Sequence, residues 1–288
     1  MALFIRVSGA MDQVLFDRIS ETVEQCIADK TLSLPMLPKV TTQVISLVND
    51  PASDVGELTR LIQNDPALAG HVMRIANSAA YSPNVQMTSL QQAIARLGMQ
   101  NIAEIAMVAT MGPKMFSVLG YESVVKDIWQ SSLAIAIWAK EIARIGRRNV
   151  ESTFLCGLLF QIGRPVVLQT VLAQGDAAMD LATLQSLMAK YQTRVGGELA
   201  RHWQLPVAVS QTITGIEATG SVAGVQDIVD SIKAARVFAP ITLADRLYDG
   251  AVLSADPAVV EVNLYSDDVD KLLRKADSIH DTLGVLSL

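Results

Sequence analysis

Histidine is nearly absent from this chain: among 288 residues only His71, His202 and His280 occur, and the only cysteines are Cys26 and Cys156. A zinc centre draws three or four His, Cys or carboxylate donors together at characteristic spacings, and these scattered residues have no such spacing. The two cysteines lie far apart, Cys156 inside an apolar run, so they read as reduced thiols of a reducing compartment rather than a disulfide. Basic charge is also short. With 23 Lys plus Arg against 29 Asp plus Glu the formal net charge is −6, which argues against nucleic acid or an anionic membrane as the main partner. Apolar stretches are interrupted by Lys140 and Glu141, by Arg164 or by Asp176 before reaching the roughly 18 residues of a bilayer-spanning helix. The first residues lack the basic, apolar, small-residue order of a signal peptide, and the expected location is the cytoplasm. Aromatic residues make up 5%, and hairpin turns of the Asn-Gly type are hard to find.

What the chain does have is Ala, Leu, Ile, Val and Met recurring with a period near 3.6, the pattern of an all-α protein. Asp65-Pro66 offers a helix cap followed by proline at the first helical position, where a missing N–H costs nothing. Ser89 with Gln92, and Asn101 with Glu104, both have capping-box spacing, and Gly98 between them suits a left-handed helix end. Residues 90–111 are therefore expected to form a helix, a tight turn and a second helix. A DNA-reading helix presents polar and basic side chains to a groove; residues 102–110 are mostly apolar, so this is a core helix. Further helices are expected over 123–145, 152–173, 181–203, 225–248 with a break at Pro240, and 266–286, where Asp267 and Asp268 complement the dipole of the first turn. Residues 217–224 read as a flexible loop, and 112–121, with Pro113 and Gly120, as a junction between two helical subdomains. Val195-Gly196-Gly197 falls within a helical pattern, where small residues serve close packing rather than phosphate binding. No strand-to-helix elbow frames a serine nucleophile.

Four motifs in fixed order carry a resemblance: Leu34-Pro35-Met36-Leu37-Pro38-Lys39-Val40, then Asn64-Asp65-Pro66-Ala67-Leu68, then Arg74-Ile75-Ala76-Asn77-Ser78-Ala79-Ala80-Tyr81, then Ser89-Leu90 with Ala93-Ile94 and Leu97-Gly98. The chain resembles the HDOD family of bacterial signalling proteins over roughly residues 20 to 250. The resemblance implies two packed helical subdomains, 31–120 and a degenerate HD-like 121–250, with extensions at 1–30 and 251–288. HDOD domains are similar to the metal-dependent HD phosphohydrolases, whose ligands run His, then His-Asp, then Asp. Here Ser131 follows Trp129 where the first histidine would stand, Phe160 and Gln161 replace the His-Asp pair, and the final aspartate alone is kept, at Asp245. Later positions that often carry histidine hold Gln192 and Gly215-Ile216-Glu217. A hydroxyl, a phenyl ring and a neutral amide neither replace an ion's water shell nor help it activate water.

The resemblance thus implies a non-catalytic regulatory module that acts through an unidentified signalling protein, standing alone without a further output domain and with no cofactor. The rival from another class is a metal-dependent phosphohydrolase acting on nucleotides or cyclic dinucleotides. A third reading is a small-ligand sensor, with a remnant pocket of Trp129, Ser131, Phe160, Gln161, Arg164 and Asp245 in which Arg164 would pair with a small anion. The plainer reading of these residues is a repacked core: Phe160 fills space, Gln161 and Ser131 hydrogen-bond across it, and Asp245 pairs with Arg246 or the Gln161 amide. Asn77 and Ser78, at a helix end, are expected to order the loop through Tyr81, Ser82 and Pro83; the alternative is a partner-binding loop with Tyr81 and Pro83 exposed.

Overall fold

A computed structural model describes residues 2–50, 52–82, 86–116, 118–173, 179–243 and 248–287, with side chains described from residue 15 onward except at 49. It is all-α, with no strand among the described residues. The helices are α1 (Ala2–Ala28), α2 (Lys39–Asn49), α3 (Val55–Gln63), α4 (Pro66–Ala76), α5 (Leu90–Leu97), α6 (Met99–Thr110), α7 (Glu122–Ile145), α8 (Val150–Leu159), α9 (Gly163–Leu172), α10 (Leu181–His202), α11 (Val207–Gly215), α12 (Gln226–Leu243), α13 (Gly250–Ser254), α14 (Pro257–Glu261), α15 (Ser266–Leu273) and α16 (Ala276–Leu286). A single 3-10 turn, Pro113–Met115, stands between α6 and α7.

Helix α6 is the hub of the first half, touched by α2, α3, α4 and α5. Its residues from Ile102 to Val108 are all buried, as expected of a core helix. Helix α7 plays the same part in the second half, flanked by α8 and α12, while α9 packs on α10. Trp138 of α7 is fully buried, its ring 5.2 Å from that of Phe238 on α12. Its indole N–H donates to Thr242 Oγ1 at 3.2 Å, satisfying a polar atom that burial would otherwise penalise. Helix α16 folds back onto α6, α7 and α12, and α1 lies against α9 and α10, where the Tyr191 hydroxyl donates to the Ser20 carbonyl.

Local chemistry explains the helix ends. Asp65 accepts from the N–H groups of Ala67 and Leu68, ahead of Pro66, as the sequence suggests. Gly98, with φ at 86°, turns the chain between α5 and α6, a conformation that costs glycine little. Three expectations need correction. The helix expected over 152–173 is two, because the chain turns at residues 160–162 before Gly163 starts α9. The helix expected over 266–286 is also two, interrupted at 274–275. Pro240 does not break α12; it sits inside the helix, which is described as far as Leu243, with Phe238, Ala239 and Thr242 buried around it.

Among the described residues, the one stretch long and apolar enough to cross a membrane is Val150–Leu172, and 83% of its apolar window is buried in the fold. Cys156 lies in that stretch, fully buried, and burial pushes its thiol up to about 12. Thiolate is the reactive form, so a thiol-exchange reagent is expected to modify half-buried Cys26 in the native protein and Cys156 only after denaturation. Two thiols titrating at equal rates under native conditions would contradict this burial.

Candidate functional site

The positions corresponding to the HD ligands come from the end of α8 and from α7. Phe160 is 2% exposed and Gln161 4%. The Gln161 amide donates to Ser132 Oγ at 2.8 Å and to the Ile128 carbonyl at 3.3 Å, and Ser132 Oγ itself donates to that carbonyl at 2.9 Å. The predicted partner was Ser131. One residue along a helix is a rotation of about 100°, and it is Ser132 that faces Gln161 while Ser131 is only half-buried. The amide and hydroxyl occupy one another, and no group of three His, Cys, Asp or Glu able to hold a metal occurs among the described residues. The donors present here, a phenyl, an amide and a hydroxyl, do not fit a divalent ion. Asp245 lies outside the described residues.

Arg164, half-buried, extends one nitrogen to Gln161 Oε1 at 3.5 Å, and its buried Nε has no hydrogen-bond partner. Burial, then the nearby Arg236, hold its guanidinium below the ordinary value, with Glu217 partly opposing. Trp129 belongs elsewhere. It is buried and lines a cavity of about 290 Å³ with His71, Arg74 and Lys114 rather than facing Gln161. The structure thus joins Gln161 with Arg164, while Trp129 lines the other cavity.

The loop after α4 is held by a two-point clamp. Asn77 Nδ2 donates to the Met87 carbonyl at 2.9 Å, and the Met87 N–H donates to Asn77 Oδ1 at 2.6 Å. Ser78 contributes its carbonyl, which accepts from the N–H groups of Tyr81 and Ser82, while its buried hydroxyl has no partner. Tyr81, which the partner-loop alternative puts on the surface, is half-buried and lines a pocket beside Glu104; burial, then the Glu104 charge, push its phenol well above the ordinary value. Pro83 lies outside the described residues. Asn77→Ala is expected to cost about 2 kcal/mol, since it strands both backbone groups of buried Met87. A urea melt would measure this, and faster hydrogen exchange at the Met87 amide would localise it.

Sequence reasoning missed Glu104. Its spacing from Asn101 resembles a capping box, but α6 begins at Met99, so both residues stand inside the helix. Asn101 donates back to the Leu97 carbonyl, and Glu104, 4% exposed, pairs with Lys140 of α7. Lys140 also donates to Asn101 Oδ1 at 2.8 Å. The available signal was a single carboxylate within the otherwise apolar stretch 102–109, which demands a buried partner.

The HDOD domain family model matches residues 34–218. A protein of Geobacter sulfurreducens described as an HDOD domain protein with unknown function superposes with a TM-score of 0.68 at 22% identity, covering 92% of this chain and 99% of that one. A candidate phosphohydrolase from Shewanella amazonensis SB2B gives 0.67 at 22%, covering 92% and 98%. A candidate signal transduction protein from Marinobacter aquaeolei VT8 gives 0.63 at 20%, covering 95% and 66%. An uncharacterized protein of Treponema pallidum (strain Nichols) is 22% identical over 198 residues, 65% of this chain. The chain spans only 38% of that relative's length.

Proposed function

From the premise that this chain belongs to the HDOD domain family, we propose that it is a non-catalytic regulatory module of bacterial signalling, working in the cytoplasm by binding a protein partner. One observation carries this reading. Where the family's enzymatic relatives need a His-Asp pair, Phe160 and Gln161 are buried and their neighbours complete the packing. An ion seated there would have no imidazole or carboxylate from α8, and a water on it would lack the charge that makes it a nucleophile. The likeness to a signal transduction protein supports the regulatory role, and the acidic balance of the chain suits a protein partner better than nucleic acid.

The rival is phosphohydrolysis, after the relatives from Shewanella. Elemental analysis of the purified protein, with phosphatase assays on nucleotides and cyclic dinucleotides, separates the two. The expected result is neither stoichiometric Mn, Fe or Mg nor turnover. Bound metal together with turnover, both abolished by Asp245→Ala, would overturn the non-catalytic reading. The partner is tested by in-cell crosslinking and reciprocal capture with a tag on each protein, together with the phenotype of a deletion. No reciprocal complex and no change in signalling or motility would remove the regulatory reading.

A further inference from the structure

A second site lies at the seam where α6, α7, α8 and α16 meet. It is a cavity of about 260 Å³ lined by Tyr81, Asn101 and Glu104, by Lys140, Glu141, Arg144 and Phe154, and by Lys275, Ser278 and Thr282. Glu104 forms its floor. One carboxylate oxygen takes Lys140, and the other, Oε1, is buried with no hydrogen-bond partner; the Gln100 amide is near enough to lower the carboxyl's pKa but does not complete a bond to Oε1. A buried acceptor left unmade costs free energy; Oε1 is closed off from solvent, but its side chain lines the cavity, so a small turn of the carboxylate would offer it to a donor there. The charges around the cavity say what kind of donor. Beside Glu104, Lys140 cancels the charge of the floor, so a neutral hydroxyl or N–H suits Oε1 better than an ammonium. At the rim, Arg144 and Lys275 both grip Glu141, leaving an excess of one positive charge. Both rim cations stay part-exposed, at 48% and 43% of their side chains, with N–H groups to spare for an anion.

We infer that this seam is a binding site for a small hydroxylated organic anion, a sugar phosphate or sugar acid, held with a hydroxyl on Glu104 Oε1 and its anionic group between Arg144 and Lys275. The volume lies just below the range of drug-sized ligand pockets, which confines the ligand to a single small molecule. Its position gives it a consequence. The walls come from the first helical group, from α7 and α8, and from α16, so an occupant draws three parts of the fold together. This inference stands on the seam alone and does not depend on which protein partner the chain binds.

The test is calorimetric titration of the full chain with glucose 6-phosphate, ribose 5-phosphate and gluconate, with glucose and inorganic phosphate as head-only and tail-only controls. At least one whole ligand is expected to bind at least tenfold tighter than either control. Arg144→Gln and Lys275→Gln, on part-exposed side chains, are each expected to weaken it by about tenfold, the equivalent of about 1.4 kcal/mol. Glu104→Leu is expected to erase the preference for the whole ligand over inorganic phosphate, since it removes the acceptor for the hydroxyl and leaves the Lys140 charge to favour phosphate; should that variant not fold, the two rim variants decide. Binding is also expected to slow hydrogen exchange in α16. The inference is overturned if no whole ligand binds at about 10 mM, well above a Kd near 1 mM. It is equally overturned if binding is indifferent to the rim variants, or if phosphate alone binds as tightly as the whole ligands.

Discussion

Gly163→Ala is expected to destabilise the protein by about 3 kcal/mol, although the substitution adds a single methyl group. A Cβ at this position would lie 2.2 Å from the Gln192 carbonyl oxygen and 2.6 Å from the Gly196 backbone nitrogen. Both obstacles are backbone atoms of α10, so no side chain can rotate away and the two helices must part. Parting them disturbs more than one contact. Gly196 is itself packed so closely that a methyl there would meet Ile213 of α11 at 2.8 Å, and α9 and α10 form one of the broadest helix pairs in the fold. Gly70→Ala supplies the opposite sign. Gly70 is exposed in α4 with nothing within 4 Å of the added carbon, and it is expected to stabilise by about 0.5–1 kcal/mol through helix propensity and a less flexible unfolded chain. Urea denaturation of both variants checks the pair. Equal, small effects would mean that the approach of α9 to α10 is looser than 2.2 Å implies.

Close glycine packing continues around Phe160 and Gln161. Gly157 and Gly163 flank Phe160 and Gln161, and a methyl at Gly157 would come within 2.9 Å of the Ala136 backbone. These close helix contacts frame the two residues. The identities of Phe160 and Gln161 were legible in the sequence, and the structure adds that both are buried. The fold class was legible too: a period near 3.6, the Asp65 cap and Gly98 are local features that local physics reads correctly. What was not legible depended on rotation or distance. Whether Ser131 or Ser132 meets Gln161 turns on about 100° of helix rotation, which apolar spacing alone does not fix when neighbouring serines are both small and polar. The place of Trp129, in a cavity with His71 and Arg74, depends on which helices come to line that cavity, and no local pattern states this. Glu104 was misread because three residues separate cap partners and also separate neighbours on one face of a helix interior. Its actual partner, Lys140, is remote in sequence.

That remote pair leads to the other large effect. Lys140→Met is expected to cost about 3–5 kcal/mol, because it removes the one cation, among the described residues, bonded to a carboxylate that remains buried. The Lys140 side chain is 12% exposed and that of Glu104 5%, so water cannot readily replace the lost ammonium. Removing both charges together, as Glu104→Leu with Lys140→Met, is expected to recover most of the loss, since the desolvation of each charge disappears with it. The deficit of the single variant also depends on pH, with a definite sign. Burial raises the Glu104 pKa above its ordinary value, and Lys140 is the largest influence pulling it back down; without Lys140 the folded value rises further. A carboxyl whose folded pKa exceeds its unfolded value, near 4.3, contributes stability at low pH that is lost as pH rises through the folded value. The Lys140→Met deficit is therefore expected to be smaller at about pH 5 than at about pH 8, and the double variant, lacking the carboxyl, is expected to lose that dependence. Urea melts of the three proteins across this range measure both effects. A deficit that stays constant with pH, or a double variant no more stable than the single, would mean that Glu104 reaches water or another donor once Lys140 is gone.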